Sequence, residues 1–385
     1  MSYEISVRST PNGIRTLKGA LKYCQDFARV CYAKEGLFEV RKEKYNPQLV
    51  ENRLIATGHH SVFDQFNFGL YFNGLPKAMA MVLNNEPPLT TSEKSARYTV
   101  MEGIPEAQKK LYDKWMGIFC DRIDKIFPQV EDRGKKIKKL AQENARYMTS
   151  VFTPTKMGYT LSLRQLNILV DNFEKFGEET GEDKFKQRLF IEGMLPFLNS
   201  ELVRRFRVKG LEDKSDRGVK LFGNEVGENF GKDIYSTNLE MTFACLAQNH
   251  RHRTIHNHMV DGWQKGAPQL YFVPPIIKVD RGEDDDWSKW ICDLDSVAQT
   301  DFPQGQLLKV AERGNREDLE MKLRERNCGQ AQLEIVRVMD ELLERYSKYI
   351  PEMGKLRGAT CVTSGKGCKK GGCYFGAAHA IDRLV

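Results

Sequence analysis

A stretch rich in glycine and charge, residues 207–233 (RVKGLEDKSDRGVKLFGNEVGENFGKD), separates two long stretches whose apolar residues recur at helical spacing. Glycine favours turns, and such a stretch is typical of a boundary between domains. The chain has 385 residues, which is longer than one domain usually is. We therefore expect two domains joined by residues 207–233.

The composition excludes several classes of protein. Charged residues make up 29% and hydrophobic residues 41% of the chain, which favours a folded chain over a disordered one. The net charge of +7 suits an anionic ligand such as phosphate but does not demand nucleic acid. No apolar run reaches the roughly 20 residues of a membrane span. Because the N-terminus lacks a signal-peptide core, the nine cysteines are expected to be free thiols in a reducing cytoplasm.

The periodicity of the apolar residues predicts a mainly helical chain. In the first half we expect helices at 14–35, 46–58, 75–85, 105–128, 132–147 and 188–206, and a strand and turn at 61–74. In the second half we expect a helix at 238–252, an extended segment at 269–279, and a helical stretch at 319–350 that breaks near Cys328-Gly329.

Two arginines in the first half are candidates for binding an anion. Ser95 and Arg97 in SEKSARY (92–98) offer a hydroxyl and a planar guanidinium, a combination that suits phosphate. Arg146, in QENARYM, offers a second guanidinium. The alternative is that both arginines are surface charges, as arginines commonly are.

Residues 247–258 (AQNHRHRTIHNH) concentrate histidine and arginine. On a helix Arg251 and Arg253 would diverge by about 200°, so an anion shared by both requires an extended or turned backbone. His252 and His256 have the spacing of two zinc ligands on a helix. No glutamate accompanies them, however, and the arginines would repel a dication. An anion site is therefore favoured over a metal site.

Together these fragments resemble the flavin-dependent thymidylate synthases. The family's run of the form GHxSxxEHxxFTF is similar to 58–72 (GHHSVFDQFNFGLYF), and the end of its run RHRxxSxNExSxRY is similar to 92–98. Ala145-Arg146 and 161–166 (LSLRQL) match the segments that follow. The RHR itself is replaced by Asn84-Asn85-Glu86 in the first half.

The missing part of the pattern reappears in the second half of the chain. Residues 247–253 (AQNHRHR) contain the RHR, and 298–303 (AQTDFP), 314–319 (GNREDL) and 326–335 (RNCGQAQLEI) follow in the family's order. The resemblance therefore implies an α+β fold made of two diverged copies of the family domain, each with helices around a small antiparallel sheet. We expect a first copy at 1–206, a linker at 207–233, a second copy at 234–355 and a Cys/Gly-rich tail at 356–385.

The two copies have kept complementary parts of the family's site. The first keeps Glu93, Ser95, Arg97 and Arg146, and the second keeps Gln248, Arg251-His252-Arg253, Asn315 and Arg326. Family members build each active site from several subunits of a homotetramer. The resemblance therefore implies a homodimer of duplicated chains that mimics this tetramer.

The resemblance also implies ligands and residue roles. The expected ligands are FAD, methylenetetrahydrofolate as one-carbon donor, NADPH as reductant if the product is methylated, and dUMP or dCMP as substrate. Arg326 is the implied catalytic residue, because a cation facing the pyrimidine ring stabilises the negative charge that grows during attack by C5. The implied nucleotide-binding residues are Glu93, Ser95, Arg97, Arg146, Gln248 and Arg251. The implied cofactor-binding residues are His59, Ser61, Glu93, Arg164, Arg251, His252, Arg253, Asn315 and Gln330.

One departure from the family pattern leaves the product open. Gln330 stands where the family usually has a histidine near the flavin. Hydride transfer to the bound one-carbon unit would give a methyl group, and water would give a hydroxymethyl group. The second outcome serves the modification of viral DNA, and Asn327 offers both a donor and an acceptor that suit a cytosine. A bacterial or phage-infected cytoplasm is the expected location.

The C-terminal tail offers a weak candidate for a metal site. Cys361, Cys368, Cys373 and His379 supply zinc-ligand chemistry, but their spacing is loose, and a glycine-rich cap that buries thiols is the alternative. Two other classes compete with the enzyme: a nucleic-acid-binding module and a regulatory relative without activity. The sequence shows no contiguous basic stripe with interleaved aromatic residues, so neither a nucleic acid nor a membrane is an expected partner.

Overall fold

The computed structural model describes residues 3–31, 33–34, 36–87, 90–212, 218–263, 270–278, 285–363, 373 and 383–385. The strands are β1 (Glu4–Ser9), β2 (Asn67–Pro76), β3 (Thr90–Glu93), β4 (Pro154–Ser162), β5 (Asn229–Phe230), β6 (Ile234–Thr242), β7 (His256–Asp261) and β8 (Leu307–Asn315). The helices are α1 (Leu17–Val30), α2 (Leu37–Val40), α3 (Lys77–Asn84), α4 (Glu106–Ile126), α5 (Arg133–Ala145), α6 (Leu163–Glu179), α7 (Lys184–Arg188), α8 (Leu195–Leu198), α9 (Glu201–Phe206), α10 (Phe243–Asn249), α11 (Asp286–Ala298), α12 (Arg316–Arg326), α13 (Leu333–Ser347) and α14 (Thr360–Thr363). Among these described helices, none is both long and apolar enough to cross a membrane.

The chain divides into two compact units that interleave along the sequence. The first unit contains Met1–Lys94 and Pro154–Val219, and the second contains Ser95–Thr153 and Lys220–Val385. Helices α4 and α5, which lie in the first half of the sequence, therefore belong to the second unit. The expected boundaries of the two copies, 1–206 and 234–355, describe repeats in the sequence, whereas the two units describe how the chain packs. The copy boundaries therefore stay a prediction.

Each unit contains an antiparallel sheet of the same strand order. The first sheet has the order β1-β2-β4-β3 and the second has the order β5-β6-β8-β7. In both sheets the two central strands lead directly into helices, β2 into α3 and β4 into α6, then β6 into α10 and β8 into α12. The fold is α+β, as predicted, and the repeated order supports two diverged copies of one domain.

The prediction of a helix at 238–252 is wrong for its first part. Residues 234–242 form the central strand β6, in which Leu239 lies opposite Val310 and Met241 lies opposite Leu308. Burial alternates along this strand, as a two-residue period requires. Only Phe243–Asn249 are helical, and Thr242 begins that helix by accepting a hydrogen bond from the backbone N–H of Cys245 at 3.1 Å.

Helices α4 and α5 confirm the helices predicted at 105–128 and 132–147, and they pack into the core of the second unit. Trp115 on α4 meets Trp290 on α11 edge-to-face, with ring centroids 4.7 Å apart. Both indole N–H groups are satisfied, by the carboxylate of Asp293 at 2.8 Å and by the carbonyl of Phe272 at 2.9 Å. Burying two tryptophans with paired N–H groups fixes α4, and with it α5.

Two irregular segments of the second unit pair with each other in an antiparallel manner. The N–H of Val151 donates to the carbonyl of Phe302 at 2.9 Å, and the N–H of Gly305 donates to the carbonyl of Tyr147 at 3.1 Å. These segments hold the Ala145-Arg146 fragment of the first half and the AQTDFP fragment of the second half. Their pairing fixes the backbone from which Arg146 and Tyr147 extend.

Candidate active site

A cavity of about 320 Å³ opens beside Arg97 in the second unit. It is lined by Arg97, Tyr98, Lys136, Lys139, Leu140, Glu143, Gly329, Gln330, Ala331 and Arg383. Among these described lining residues, four cations face the single carboxylate of Glu143. We call this space the Arg97 pocket, and its charge suits an anion.

Arg97 is held in place by groups on two sides of this pocket. Its Nε donates to Glu143 on α5, and its terminal nitrogen donates to the backbone carbonyl of Gln330 at 2.8 Å. Burial lowers the pKa of Arg97, but the adjacent Glu143 carboxylate more than offsets this, so the pKa is raised. Its side chain is only 13% exposed, so the interpretation of Arg97 as a surface charge is wrong.

Ser95 shapes the turn that presents Arg97. Its carbonyl accepts the N–H groups of Tyr98 and Thr99 at 3.1 Å, and its hydroxyl oxygen accepts the N–H of Arg97 at 3.4 Å. A side-chain oxygen that accepts a backbone N–H two residues on is a common turn stabiliser. The hydrogen bonds of Ser95 thus favour the turn, and its contact with a ligand stays a prediction.

Arg146 is buried at the start of a chain of hydrogen bonds. Its guanidinium donates to the side-chain oxygen of Gln332, whose amide donates to the hydroxyl of Tyr147. Burial lowers the pKa of Arg146, and its Nε atom has no hydrogen-bond partner among the described residues. Arg146 is therefore no surface charge, and it keeps one buried donor that a ligand could satisfy.

Arg326 and Gln248 form a second polar group, which we call the Arg326 cluster together with His252. The guanidinium of Arg326, at the end of α12, donates to the backbone carbonyl of Gln248 at 3.3 Å. Within the described residues, Nε of Arg326 and Oε1 of Gln248 are buried without a partner. One donor and one acceptor thus remain for a ligand with both kinds of group.

Burial and charge make His252 a neutral member of this cluster. The side chain is 6% exposed, and Nε2 lies 3.7 Å from a carboxylate oxygen of Glu325. Burial, together with the nearby cations Arg326 and Lys322, lowers the pKa of His252 to about 3. His252 therefore offers hydrogen bonds rather than charge near neutral pH. Because it lies in a turn and His256 lies on β7, the helical spacing of two zinc ligands does not apply.

A buried ion pair connects the elements that carry the Arg326 cluster. Lys322 on α12 and Glu312 on β8 have fully buried, paired side chains. Glu312 also accepts hydrogen bonds from Tyr235 at 2.8 Å and from Asn249, at the end of α10, at 2.7 Å. One carboxylate thereby joins β6, β8, α10 and α12, and it fixes both ends from which Gln248 and Arg326 extend.

Four of the predicted site residues lie in the first unit, and neither the Arg97 pocket nor the Arg326 cluster contains them. The carboxylate of Glu93 accepts from Lys77 at 2.5 Å and from Asn84 at 3.1 Å, so both of its oxygens are engaged. Arg164 pairs with Asp64 at 3.1 Å near the surface. Ser61 is exposed. His59, also exposed, lines a cavity of about 480 Å³ with residues of α1 and of the segment 49–57.

The remaining predicted residues have distinct positions in the second unit. Arg251 and Arg253 are exposed on the turn that leads to β7. Asn315 is exposed and begins α12, where its side-chain oxygen accepts the N–H of Asp318 at 2.8 Å. Gln330 contributes its backbone carbonyl to Arg97. Asn327 donates through its amide nitrogen to the carbonyl of Leu356 at 3.2 Å, its Oδ1 has no partner among the described residues, and its contact with cytosine stays a prediction.

The described part of the chain contains only two of the four metal candidates. Cys361 and Cys373 are described, whereas Cys368 and His379 lie outside the described residues. No group of three histidine, cysteine or acidic side chains suited to a metal is present among the described residues.

Sequence reasoning missed three cations of the Arg97 pocket. Lys136 and Lys139 are three residues apart on α5, and Glu143 follows four residues later on the same face. That spacing was a usable signal. Arg383 lies far from the others along the chain, and no local pattern marks it.

Residues 14–172 match the family model described as Thymidylate synthase complementing protein. The match covers less than half of the chain, and over this part the chain is similar to the thymidylate synthase family. The matched range contains 58–72, 92–98 and Arg146. The second copy lies outside it, and its kinship to the first rests on the repeated strand order and the fragments at 247–335.

Solved structures that are similar to this chain share little sequence with it. A UMP/dUMP methylase from Streptomyces cacaoi, bound with 5-Br dUMP, is 16% identical over 44% of this chain and 77% of that chain, with a TM-score of 0.31. Thymidylate synthase X from Helicobacter pylori, with FAD and dUMP, is 14% identical over 54% of this chain and 99% of that chain, with a TM-score of 0.32. No curated protein sequence matches the chain.

Proposed function

We propose that the chain transfers a one-carbon unit from methylenetetrahydrofolate to C5 of a deoxypyrimidine 5′-monophosphate, either dUMP or dCMP, with FAD as cofactor. The observation that carries this proposal is the composition of the second unit. It contains Arg97 and Arg146 from the first half of the sequence and Gln248 and Arg326 from the second half. These four residues from the two halves of the sequence thus occur in one compact unit of one chain, whereas Glu93 lies in the first unit.

The nucleotide phosphate is assigned to the Arg97 pocket. Arg97 is already oriented by Glu143 and Gln330, so little conformational entropy is lost when it binds. Lys136 and Lys139 on α5 add two more cations to the lining of the pocket. A phosphate dianion exchanges water for charge-assisted hydrogen bonds here, and these are stronger than neutral ones. Arg146 does not line the pocket; its assignment to the phosphate follows from the resemblance, and its buried Nε is the donor that it would supply.

The pyrimidine is assigned to the Arg326 cluster. The free acceptor of Gln248 suits N3–H of uracil or the amino group of cytosine, and the guanidinium of Arg326 suits a ring carbonyl. As C5 attacks the one-carbon unit, negative charge on the ring grows, and a cation already in position stabilises it. Both bases satisfy this donor and acceptor pair, so both remain in the proposal.

The residues proposed for FAD fit its charge. Arg251 and Arg253 are exposed cations on one turn, and neutral His252 between them offers a hydrogen bond, a combination that suits a diphosphate. His59 lines a larger cavity in the first unit, wide enough to accept a ring. Bound flavin supplies the hydride that turns the transferred carbon into a methyl group, with NADPH as the proposed reductant. If water enters instead, the product is hydroxymethylated, as a dCMP hydroxymethylase for phage DNA would require.

The decisive experiment is a product assay. Purified protein is incubated with methylenetetrahydrofolate, FAD, NADPH and either dUMP or dCMP, and the nucleotide is then analysed by mass spectrometry. We expect a methyl or hydroxymethyl group on one of the two nucleotides and far less product from Arg326→Ala in the same time. An unchanged nucleotide in both reactions, from protein that binds FAD, would contradict the proposal. Absence of bound FAD by absorbance would favour a nucleic-acid-binding or regulatory protein.

The same preparation tests the proposed assembly. Two copies that keep complementary residues suggest a homodimer that mimics the family's tetramer. Light scattering on the active protein is expected to give the mass of two chains. A fully active monomer would contradict the homodimer while leaving the proposed reaction intact.

A further inference from the structure

Arg383 is a buried cation that binds backbone carbonyl groups. Its side chain is 5% exposed. Nε donates to the carbonyl of Val385 at 2.9 Å, and the two terminal nitrogens donate to the carbonyls of Gly329 and Ala331. A guanidinium presents its donors in a rigid fork, so one side chain can hold two carbonyls of the same loop at once.

The backbone around Arg383 is anchored independently of that loop. The carbonyl of Leu384 accepts the N–H of Ile276 at 2.9 Å. Val385 is 2% exposed and belongs to the same hydrophobic core as Trp115 and Trp290. The backbone of Arg383 is therefore fixed in position. The hydrogen bonds of its guanidinium in turn restrict the position of residues 329–331.

Residues 329–331 form the wall of the Arg97 pocket opposite α5. The carbonyls that Arg383 holds, on Gly329 and Ala331, lie on either side of the Gln330 carbonyl, which accepts the guanidinium of Arg97 at 2.8 Å. Each peptide unit is planar and leaves only two soft dihedrals per residue. Fixing the carbonyls on both sides therefore restricts the direction of the Gln330 carbonyl, and with it the position of Arg97.

Arg383 also lines the Arg97 pocket and adds its positive charge there. Burial lowers the pKa of Arg383 to about 10, while the Glu143 carboxylate raises it and the Arg97 guanidinium lowers it. A buried cation is costly unless its donors are used. An apolar side chain would fill the same space without that cost, so hydrophobic packing alone does not account for an arginine here.

We propose that Arg383 is a positioning residue for nucleotide binding: it holds Gly329 and Ala331 so that the Gln330 carbonyl orients Arg97 toward the pocket. This inference rests on the proposed assignment of the nucleotide phosphate to Arg97. Arg383 acts through Arg97. Loss of the Arg383 side chain would leave the Arg97 guanidinium in the wrong position. The same geometry explains how a residue so distant in sequence affects the site.

The test is a double-mutant cycle measured as dUMP affinity of the FAD-loaded protein by calorimetry. Arg97→Met is expected to weaken dUMP binding roughly tenfold to a hundredfold, as for loss of a charge-assisted hydrogen bond. Arg383→Met is expected to weaken it by about tenfold, with KM raised and kcat at saturating dUMP retained. The double variant is expected to bind no more weakly than Arg97→Met alone, because the second change acts through the first.

Three further variants separate positioning from stability. Arg357→Met removes an arginine paired with Asp340 at the surface of the same unit, and it should leave dUMP affinity unchanged. Val385→Ala weakens the core without removing the guanidinium, so it should lower the free energy of unfolding but keep the affinity. Arg383→Lys keeps the charge but loses the fork, so it should bind dUMP more weakly than wild type, and it replaces Arg383→Met if that variant does not fold.

The outcomes are distinguishable. Normal dUMP affinity in Arg383→Lys and Arg383→Met, with loss in Arg97→Met, overturns the positioning role and leaves the nucleotide site standing. Losses that add in the double variant also overturn it, since they show that Arg383 acts without Arg97. Unchanged affinity in Arg97→Met would overturn the proposed phosphate site itself. Affinity lost equally in Val385→Ala would assign the effect of Arg383 to stability.

Discussion

Tyr147 donates its phenolic O–H to Glu334 at 2.5 Å, and both side chains are buried. Thr242 donates its N–H and its O–H to the same carboxylate, each at 2.8 Å. Glu334 thus joins the start of α13, the start of α10 and the segment that carries Arg146. Burial raises the pKa of Glu334, although these donors and Arg146 act to lower it.

Removal of this carboxylate should destabilise the second unit. Glu334→Ala leaves three buried donors without an acceptor and should lower the free energy of unfolding by about 3 kcal/mol or more. Glu334→Gln keeps the volume and one acceptor oxygen, so a smaller loss is expected. Urea unfolding monitored by tryptophan fluorescence measures both. Equal losses in the two variants would mean that the hydrogen bonds contribute little beyond packing.

The same pair gives a prediction for pH. Because the folded pKa of Glu334 lies above the ordinary value of 4.5, the unfolded chain releases this proton first as pH rises. Stability relative to Glu334→Gln should therefore be greatest below about pH 4.5 and should fall as pH increases toward the folded pKa. If the free energy of unfolding of the wild type increased with pH relative to that of Glu334→Gln, the raised pKa would be contradicted.

Arg326 should matter for the chemical step more than for flavin binding. Arg326→Ala removes the cation assigned to the pyrimidine ring and should lower kcat by a factor on the order of 10²–10³. Flavin content, read from absorbance, should persist. Loss of flavin with unchanged residual turnover would place Arg326 in the cofactor site instead. Arg324→Ala, which alters an exposed arginine on the same helix, is the matched control and should retain activity.

Arginines of the two halves should differ in the ligand that they affect. Arg97→Ala or Arg146→Ala should weaken dUMP or dCMP binding roughly tenfold to a hundredfold while FAD stays bound. Arg253→Ala should weaken FAD by a similar factor and spare the nucleotide. Titration of each variant with the nucleotide and with FAD measures both affinities and tests this difference. If all three variants show the same ligand profile, the assignment of the two ligands to the two sets of arginines is wrong.

His252 should make the protein sensitive to acid. Its folded pKa of about 3 lies below the ordinary value of 6.5, so the unfolded chain takes up the proton first as pH falls. Arg326 and Lys322 oppose protonation, and Glu325 favours it only weakly across 3.7 Å. Wild-type stability should therefore decline from about pH 6.5 downward, by up to about 1.4 kcal/mol per pH unit.

The matching variant is His252→Gln, which removes the titrating group. Its free energy of unfolding should depend less on pH between about 6.5 and 4 than that of the wild type. Chemical unfolding at several pH values measures the difference. Parallel pH profiles for the two proteins would show that His252 accepts its proton readily in the folded state.

The helices on each side of the site were predictable because their apolar residues recur with a helical period and nothing interrupts them. Strand β6 was not recognised, since Leu239, Glu240 and Met241 favour helices and this preference obscured the alternating pattern. In the structure, pairing with β8 on one side and β5 on the other overrides that local preference. A strand flanked on both sides is fixed by partners that its own sequence does not reveal.

The same limit applies to the candidate site. Arg97, Arg146, Gln248 and Arg326 could be named from the order of fragments alone, and the structure places all four in one unit. Asn315 and Glu93 were named by the same reasoning, yet the first begins a helix and the second pairs with Lys77. A polar residue in a motif serves equally well as a cap or an ion-pair partner, and only its neighbours decide. Arg383 has no motif at all.

The interleaved order of the two units has a consequence for the protein during its synthesis. Helix α4 leaves the ribosome early, but Trp115 and Phe119 pack against Trp290, which is made roughly 170 residues later. At translation rates of about 5–20 residues per second this delay lasts about 10–30 s. Throughout that interval the apolar face of α4 lacks the ring that covers it in the finished protein. The nascent chain should therefore be a chaperone substrate over this window, and shortening the delay should matter more for yield than any change in the finished fold.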